Sequence, residues 1–193
     1  MEMAAWFAGE KHSDTPDCSC PVLGAYGIRL NDLMPADVRD RLLKPLVPLI
    51  VGTRDPASEL KRADFLVMWA VNKIVPIALR GAGFESRAKA CEDAGTLSEA
   101  RAAAYAYASA SASASASAVD AYTSAYASAS AAANAYAYAY ASASASASAS
   151  ASAVWPTSVE GLRQAILIGR HDGFADPEPV LIERRAKLLE LVG

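Results

Sequence analysis

Histidine and cysteine are scarce in this chain, at two and three of 193 residues. A zinc site could therefore draw its soft ligands only from His12, Cys18, Cys20 and Cys91, and imidazole acid–base chemistry would rest on His12 or His171. The thiol count is odd, and the opening M-E-M-A-A-W-F-A-G-E-K lacks both the basic start and the apolar run of a secretory leader. Reduced thiols in a cytoplasm are the expectation. Neither sign of charge dominates: the net charge is −3, with acids and bases interspersed, which argues against a nucleic-acid surface and a polybasic membrane patch. No apolar run is long enough to span a bilayer, since Leu66 to Leu79 is broken by Asn72, Lys73 and Pro76. No cofactor is expected either. Gly24 to Gly27 and Gly81 to Gly83 lack the preceding strand and the G-K-[ST] ending of a phosphate loop, and they read as turn residues.

The sharpest lack is local. Residues 102 to 154 contain no Gly, no Pro and one charge, Asp120, and are written almost wholly in Ala, Ser and Tyr. Two periods compete for this tract. As a strand, the Y-A-Y-A and S-A-S-A alternation places nearly all non-Ala residues from Tyr122 to Val154 on one face, giving a silk-like ribbon or solenoid. As a helix, Tyr107, Val119, Tyr122, Tyr126, Tyr136, Tyr140, Val154 and Trp155 share one stripe, which only Tyr105 and Tyr138 miss. Context favours the helix. Thr96-Leu97-Ser98-Glu99 has the spacing of a capping box, Pro156 supplies a stop, and Ser and Tyr each cost only about 0.5 kcal/mol relative to Ala in a helix.

A straight helix from Leu97 to Trp155 would reach about 90 Å at roughly 1.5 Å per residue, so it would have to protrude, fold into a hairpin near Val119-Asp120, or pair with another chain. Tyr105 to Val119 recurs approximately as Tyr138 to Val154. This internal repeat is open to a second reading, as a tolerated spacer expanded by replication slippage.

The remaining sequence reads as helices. Pro35 to Lys44 forms one, with Val38, Leu42 and Leu43 inward, and Pro45 and Pro48 turn the chain as far as Gly52. Asp55-Pro56 is an N-cap followed by Pro at the first helical position. It opens a helix through Leu60, Phe65, Leu66, Trp69 and Lys73 that Pro76 kinks or ends. Phe84 to Asp93 is another, Thr157-Ser158-Val159-Glu160 starts one to about Arg170, and Asp176-Pro177 starts the last. Trp6 and Phe7 fall outside any predicted helix. The fold class is therefore all-α, a helical bundle with a long Ala/Ser/Tyr-rich helix or hairpin. Its parts are a polar segment at 1–20, a small helical domain at 21–95, the tract at 96–155 and a helical pair at 156–193 packing back on the core.

Candidate sites are few. K-H-S-D-T-P-D-C-S-C-P-V concentrates polar and soft ligands, yet the C-x-C spacing makes a cramped chelate, and a capping loop with buried thiols explains the same residues. In Arg170-His171-Asp172-Gly173 the aspartate could orient the imidazole, but the helix dipole alone explains a cation at a helix C-terminus, and no nucleophile or carboxylate pair is marked elsewhere. No catalytic residue and no metal site are assigned.

Several of these blocks resemble a family of actinobacterial and actinophage proteins with an alanine-rich C-terminal half. They are H-S-D-T-P-D-C-S-C-P-V, R-L-L-K-P-L-V-P-L-I-V-G-T-R, R-A-D-F-L-V-M-W-A-V and I-V-P-I-A-L-R-G-A-G-F, within residues 11 to 94, and R-L-L-K-P and G-T-R are the most specific pieces. The resemblance implies a helical C-terminal half and transfers no activity or functional residue. T-L-S-E-A-R-A-A-A-Y-A-Y-A is similar, more weakly, to toxin-immunity proteins. Alanine runs in both groups are punctuated by Arg, Asp or Glu, a pattern from which this tract departs.

The leading expectation is a non-catalytic helical interaction or structural protein, with a phage accessory or immunity-like factor as its more specific form. It would bind itself or a protein partner through Tyr107, Tyr122, Tyr126, Tyr136, Tyr140 and Trp155. An enzyme using His171 and Asp172, or the His12, Cys18 and Cys20 loop, is the competing class, and a surface that orders ice or mineral is the third.

Overall fold

The structure, a computed structural model, describes residues 1–81, 83–100, 102, 148–170 and 186. Most of the Ala/Ser/Tyr tract, the His171-Asp172 loop and the helix expected from Asp176 lie outside the described residues. Among the described residues every regular element is helical and none is a strand, so the fold is all-α. The chain divides into two compact units, residues 1–62 with 162–193, and residues 63–161.

In the first unit, α1 (Glu2–Ala8) ends at Gly9, whose φ of 78° lets Gly9 N–H donate to Trp6 O and Glu10 N–H to Ala5 O, at 3.1 and 2.9 Å. This left-handed closure satisfies the last carbonyls of the helix. Trp6 and Phe7, expected outside any helix, lie within α1, with Phe7 only 1% exposed. Seven residues are too few to display a 3.6-residue period, which is why the element escaped a reading by periodicity.

Helix α2 (Pro21–Leu33) opens on Pro at its first position, where the missing N–H is no loss, and stops at Met34, kept extended by Pro35. Gly24 and Gly27, expected to be turn residues, are inside α2, and a Cβ on either would meet its nearest atoms at 3.8 and 3.9 Å, ordinary contact distances. Gly27→Ala should accordingly stabilise the chain by about 0.5 to 1 kcal/mol through helix propensity alone. The equilibrium urea midpoint checks this, and a lowered midpoint would show that Leu162 cannot share the space.

Helix α3 (Ala36–Leu43) passes into a 3-10 turn (Lys44–Leu46) and the short α4 (Val47–Ile50). Pro45 and Pro48 fall at the starts of these last two pieces, where no helical acceptor waits for their absent N–H groups. Asp55 caps α5 (Pro56–Trp69) as expected: its carboxylate accepts from Ala57 N–H at 3.1 Å and from the Ser58 hydroxyl. Leu60, in the same helix, is exposed, and the buried side chain nearby is Arg62. Leu23, Tyr26, Leu30 and Ile166 are fully buried in this unit's core.

In the second unit α5 gives way to a π-helical turn (Ala70–Ile74), closed by Val75 N–H on Ala70 O, and then to α6 (Val75–Gly81). The wide turn stands directly before Pro76, and helical structure runs on through the proline into α6, so of the kink or end expected at Pro76 the end does not occur. Asn72, inside that turn, donates its side-chain amide to the carbonyls of Cys91, Glu92 and Ala94 at 3.0, 3.1 and 2.7 Å. These include the otherwise orphaned last carbonyls of α7 (Glu85–Glu92).

The capping box at Thr96 forms as the spacing predicts. Glu99 N–H donates to Thr96 Oγ1 at 3.2 Å, and Glu99 Oε2 accepts from the amides of Gly95 and Thr96 at 2.8 and 3.0 Å. Those amides, Gly95 foremost, hold the Glu99 carboxyl below its usual range, and residues 97–100 are helical.

Helix α8 (Ser148–Leu167) corrects two expectations: Pro156 does not stop a helix, and Thr157 to Glu160 does not start one, since both lie inside α8. The Thr157 hydroxyl donates to Ala153 O and the Ser158 hydroxyl to Val154 O, each at 2.8 Å. Hydroxyls that a capping box would aim at first-turn amides here serve carbonyls on the turn that proline disturbs. Burial of Val154, Trp155 and Val159 helps offset the roughly 3 kcal/mol an interior proline costs.

Candidate functional site

The C-S-C and G-T-R blocks meet in the first unit. Gly52, at φ 75°, donates its N–H to Cys18 O at 2.8 Å, while Thr53 Oγ1 accepts from Cys20 N–H at 3.0 Å and donates to Ile50 O at 2.6 Å. Arg62, 1% exposed, extends this network: Nη1 donates to Thr53 O at 2.5 Å, and Nη2 and Nε donate to Ile168 O at 2.7 and 3.2 Å. Arg170 Nη2 donates to Leu49 O and Val51 O at 2.6 and 2.7 Å, and burial, with a smaller effect of the Arg62 charge, lowers its guanidinium below the ordinary value.

This arrangement decides what the thiols can do. Burial, reinforced by the Glu10 charge, pushes Cys18 up to about 12, and burial with the Glu92 charge pushes Cys91 up to about 11. A thiol is nucleophilic, and a strong metal ligand, only as the thiolate. Alkylation of native Cys18 by iodoacetamide should stay slow through pH 9, where a free thiol is half ionised, and accelerate only toward pH 12. The sign for stability follows. The Cys18 contribution is complete below the unfolded value of 9.0 and is lost as pH rises toward the folded value of about 12. A rate that already saturates at pH 9 would contradict both statements.

The described residues of the first unit also line a cavity of about 410 Å³. Its floor is aliphatic, made by Ile28, Leu43, Leu46, Val47, Ile50 and Leu162. Arg39, Asp40 and Lys44 line it with side chains 37, 48 and 29% exposed, so the charged part of the lining reaches solvent. Asp40 accepts from Lys44 Nζ at 3.0 Å and from Arg39 Nε at 3.4 Å, and the two cations, Lys44 first, hold its carboxyl below the usual range. Glu2 and Asp14 also line the cavity; Glu2 Oε1 lies 3.1 Å from His12 Nε2, and Asp14 Oδ1 lies 4.0 Å from the Met1 amine.

The residues singled out from sequence are thus dispersed. His12 is exposed beside Glu2, Cys18 Sγ donates to Ala4 O at 3.9 Å, Cys20 is fully buried, and Cys91 belongs to the core of the second unit. Among the described residues no three His, Cys, Asp or Glu side chains gather as a metal ion requires. Trp155 is buried in the second unit, and Tyr107, Tyr122, Tyr126, Tyr136, Tyr140, His171 and Asp172 lie outside the described residues. Arg62, Arg39 and Lys44 were not singled out from sequence; the Asp40–Lys44 spacing of one helical turn is the one local signal among them.

No protein-family model, curated protein or solved structure matches the chain. Among the described residues no helix is long and apolar enough to cross a membrane.

Proposed function

We propose that this chain is a non-catalytic helical protein that works by association, with the tract of residues 102–154 binding a protein partner or a second copy of the chain. One observation carries the reading: seven of the chain's eight tyrosines lie in that tract, all but Tyr26, alongside a single charge, Asp120. Tyrosine supplies contact area and a hydroxyl at low entropic cost, and so few charges leave little to keep such a surface apart from another. The protonated state of Cys18 and Cys91 at neutral pH supports the non-catalytic half of the proposal. The resemblance to actinophage and immunity proteins extends it to an accessory or immunity-like role.

The test replaces Tyr122, Tyr126, Tyr136 and Tyr140 together by Ala. Sedimentation velocity should show at least tenfold weaker self-association, or a tagged chain should lose its captured partner, with the far-ultraviolet circular dichroism kept. Unchanged sedimentation together with unchanged capture would sink the reading.

A further inference from the structure

The geometry points to a ligand site in the first unit, independent of the tract: the 410 Å³ cavity takes an aliphatic carboxylate, its head on Arg39 and Lys44 and its tail along Leu43, Val47 and Ile50. Three observations combine. The lining holds six branched aliphatic side chains and no aromatic ring to favour stacking. Cavities of this size are typical of small-molecule sites, and at roughly 30 Å³ for each water-sized group a tail of about eight carbons fits with its head at the opening.

The second observation is spare donor capacity. Arg39 has five N–H donors and engages Asp40 through Nε alone, and Lys44 has three and engages Asp40 with one. Among the described residues no other acceptor meets either group, so both keep N–H donors that an anionic head at the opening can take. The third is that the other acids of the lining are already engaged, Glu2 with His12 and Asp14 with the Met1 amine. A head group held at the partly exposed Arg39 and Lys44 keeps its hydration, so its desolvation cost is small.

The experiment titrates the full chain at pH 7 with octanoate, octanol, octylammonium and acetate, followed by calorimetry and by methyl chemical shifts of Leu43, Val47 and Ile50. Octanoate should saturate and bind at least tenfold more tightly than octanol or octylammonium, and acetate should not bind measurably. Across butyrate, hexanoate and octanoate, affinity should rise about fourfold for each added methylene, then level off once the tail outgrows the cavity.

Arg39→Gln with Lys44→Gln should bring octanoate down to the octanol level. Val47→Trp, which fills the floor, should abolish both, with the unfolding midpoint showing that the variant is folded. Equal binding of octanoate and octanol, tighter binding of octylammonium, or octanoate binding untouched by Val47→Trp in a folded variant would each overturn the assignment. None of these outcomes depends on Tyr122, Tyr126, Tyr136 or Tyr140, so this proposal and the association reading fail separately.

Discussion

Arg62→Ala is expected to destabilise the chain by about 3 to 5 kcal/mol, a large share of the roughly 5 to 15 kcal/mol that holds an ordinary domain folded. The guanidinium is 1% exposed and closes on two carbonyls, Thr53 O through Nη1 and Ile168 O through Nη2 and Nε. Removing it strips both acceptors of their donor, Thr53 O in a buried site and Ile168 O in a partly buried one, and leaves a void where the side chain lay. Arg62→Lys should recover little, because one ammonium cannot reproduce a planar fork aimed at two acceptors. Arg62→Met fills much of the volume without donors and separates packing from hydrogen bonding. Equilibrium unfolding in urea measures all three. If Arg62→Met matches the wild type, packing alone is at stake and the network has no net value.

Gly161→Ala should destabilise by about 2 kcal/mol, although alanine is the better helix former. A Cβ at Gly161 would come to 2.5 Å from Trp69 Cδ1 and 2.7 Å from Nε1, distances at which something has to move. The indole is not free to swing away, because Nε1–H donates to Thr157 O at 2.9 Å and the ring lies 5.6 Å from that of Phe65. Overpacking of this kind costs about 1 to 3 kcal/mol and the lost hydrogen bond about 1, against a propensity gain of at most about 1. Trp69→Leu removes the obstacle, so in its presence Gly161→Ala should become nearly neutral. A double-mutant cycle that comes out additive would mean the ring steps aside without cost.

What the sequence could reveal was set by the range of the interactions. Asp55-Pro56 and Thr96 to Glu99 were legible because a cap is made by residues two or three apart and needs nothing from the rest of the chain. Thr157 to Glu160 has the same spelling and failed, because a cap also needs the chain before it to be non-helical, and here burial of Val154 and Trp155 carries the helix through Pro156. Arg62 was invisible for a related reason. A charged residue in a helical pattern reads as solvated, and its acceptor Ile168 stands 106 positions away. The cavity floor was half legible: Leu43 was placed inward, but its neighbours Ile28 and Leu162 come from other helices, and no period links them.

The placement of the cysteines has a practical use. Cys20 belongs to the first unit and Cys91 to the second, and each is 0% exposed. The wild-type chain thus carries one built-in clock per unit. In a pulse of alkylating reagent under native conditions, label at Cys20 counts openings of residues 1–62 with 162–193, and label at Cys91 counts openings of residues 63–161. Mass spectrometry of the two peptides then gives two opening free energies from one sample. Their equality or inequality tells whether the chain unfolds as one cooperative body or as two.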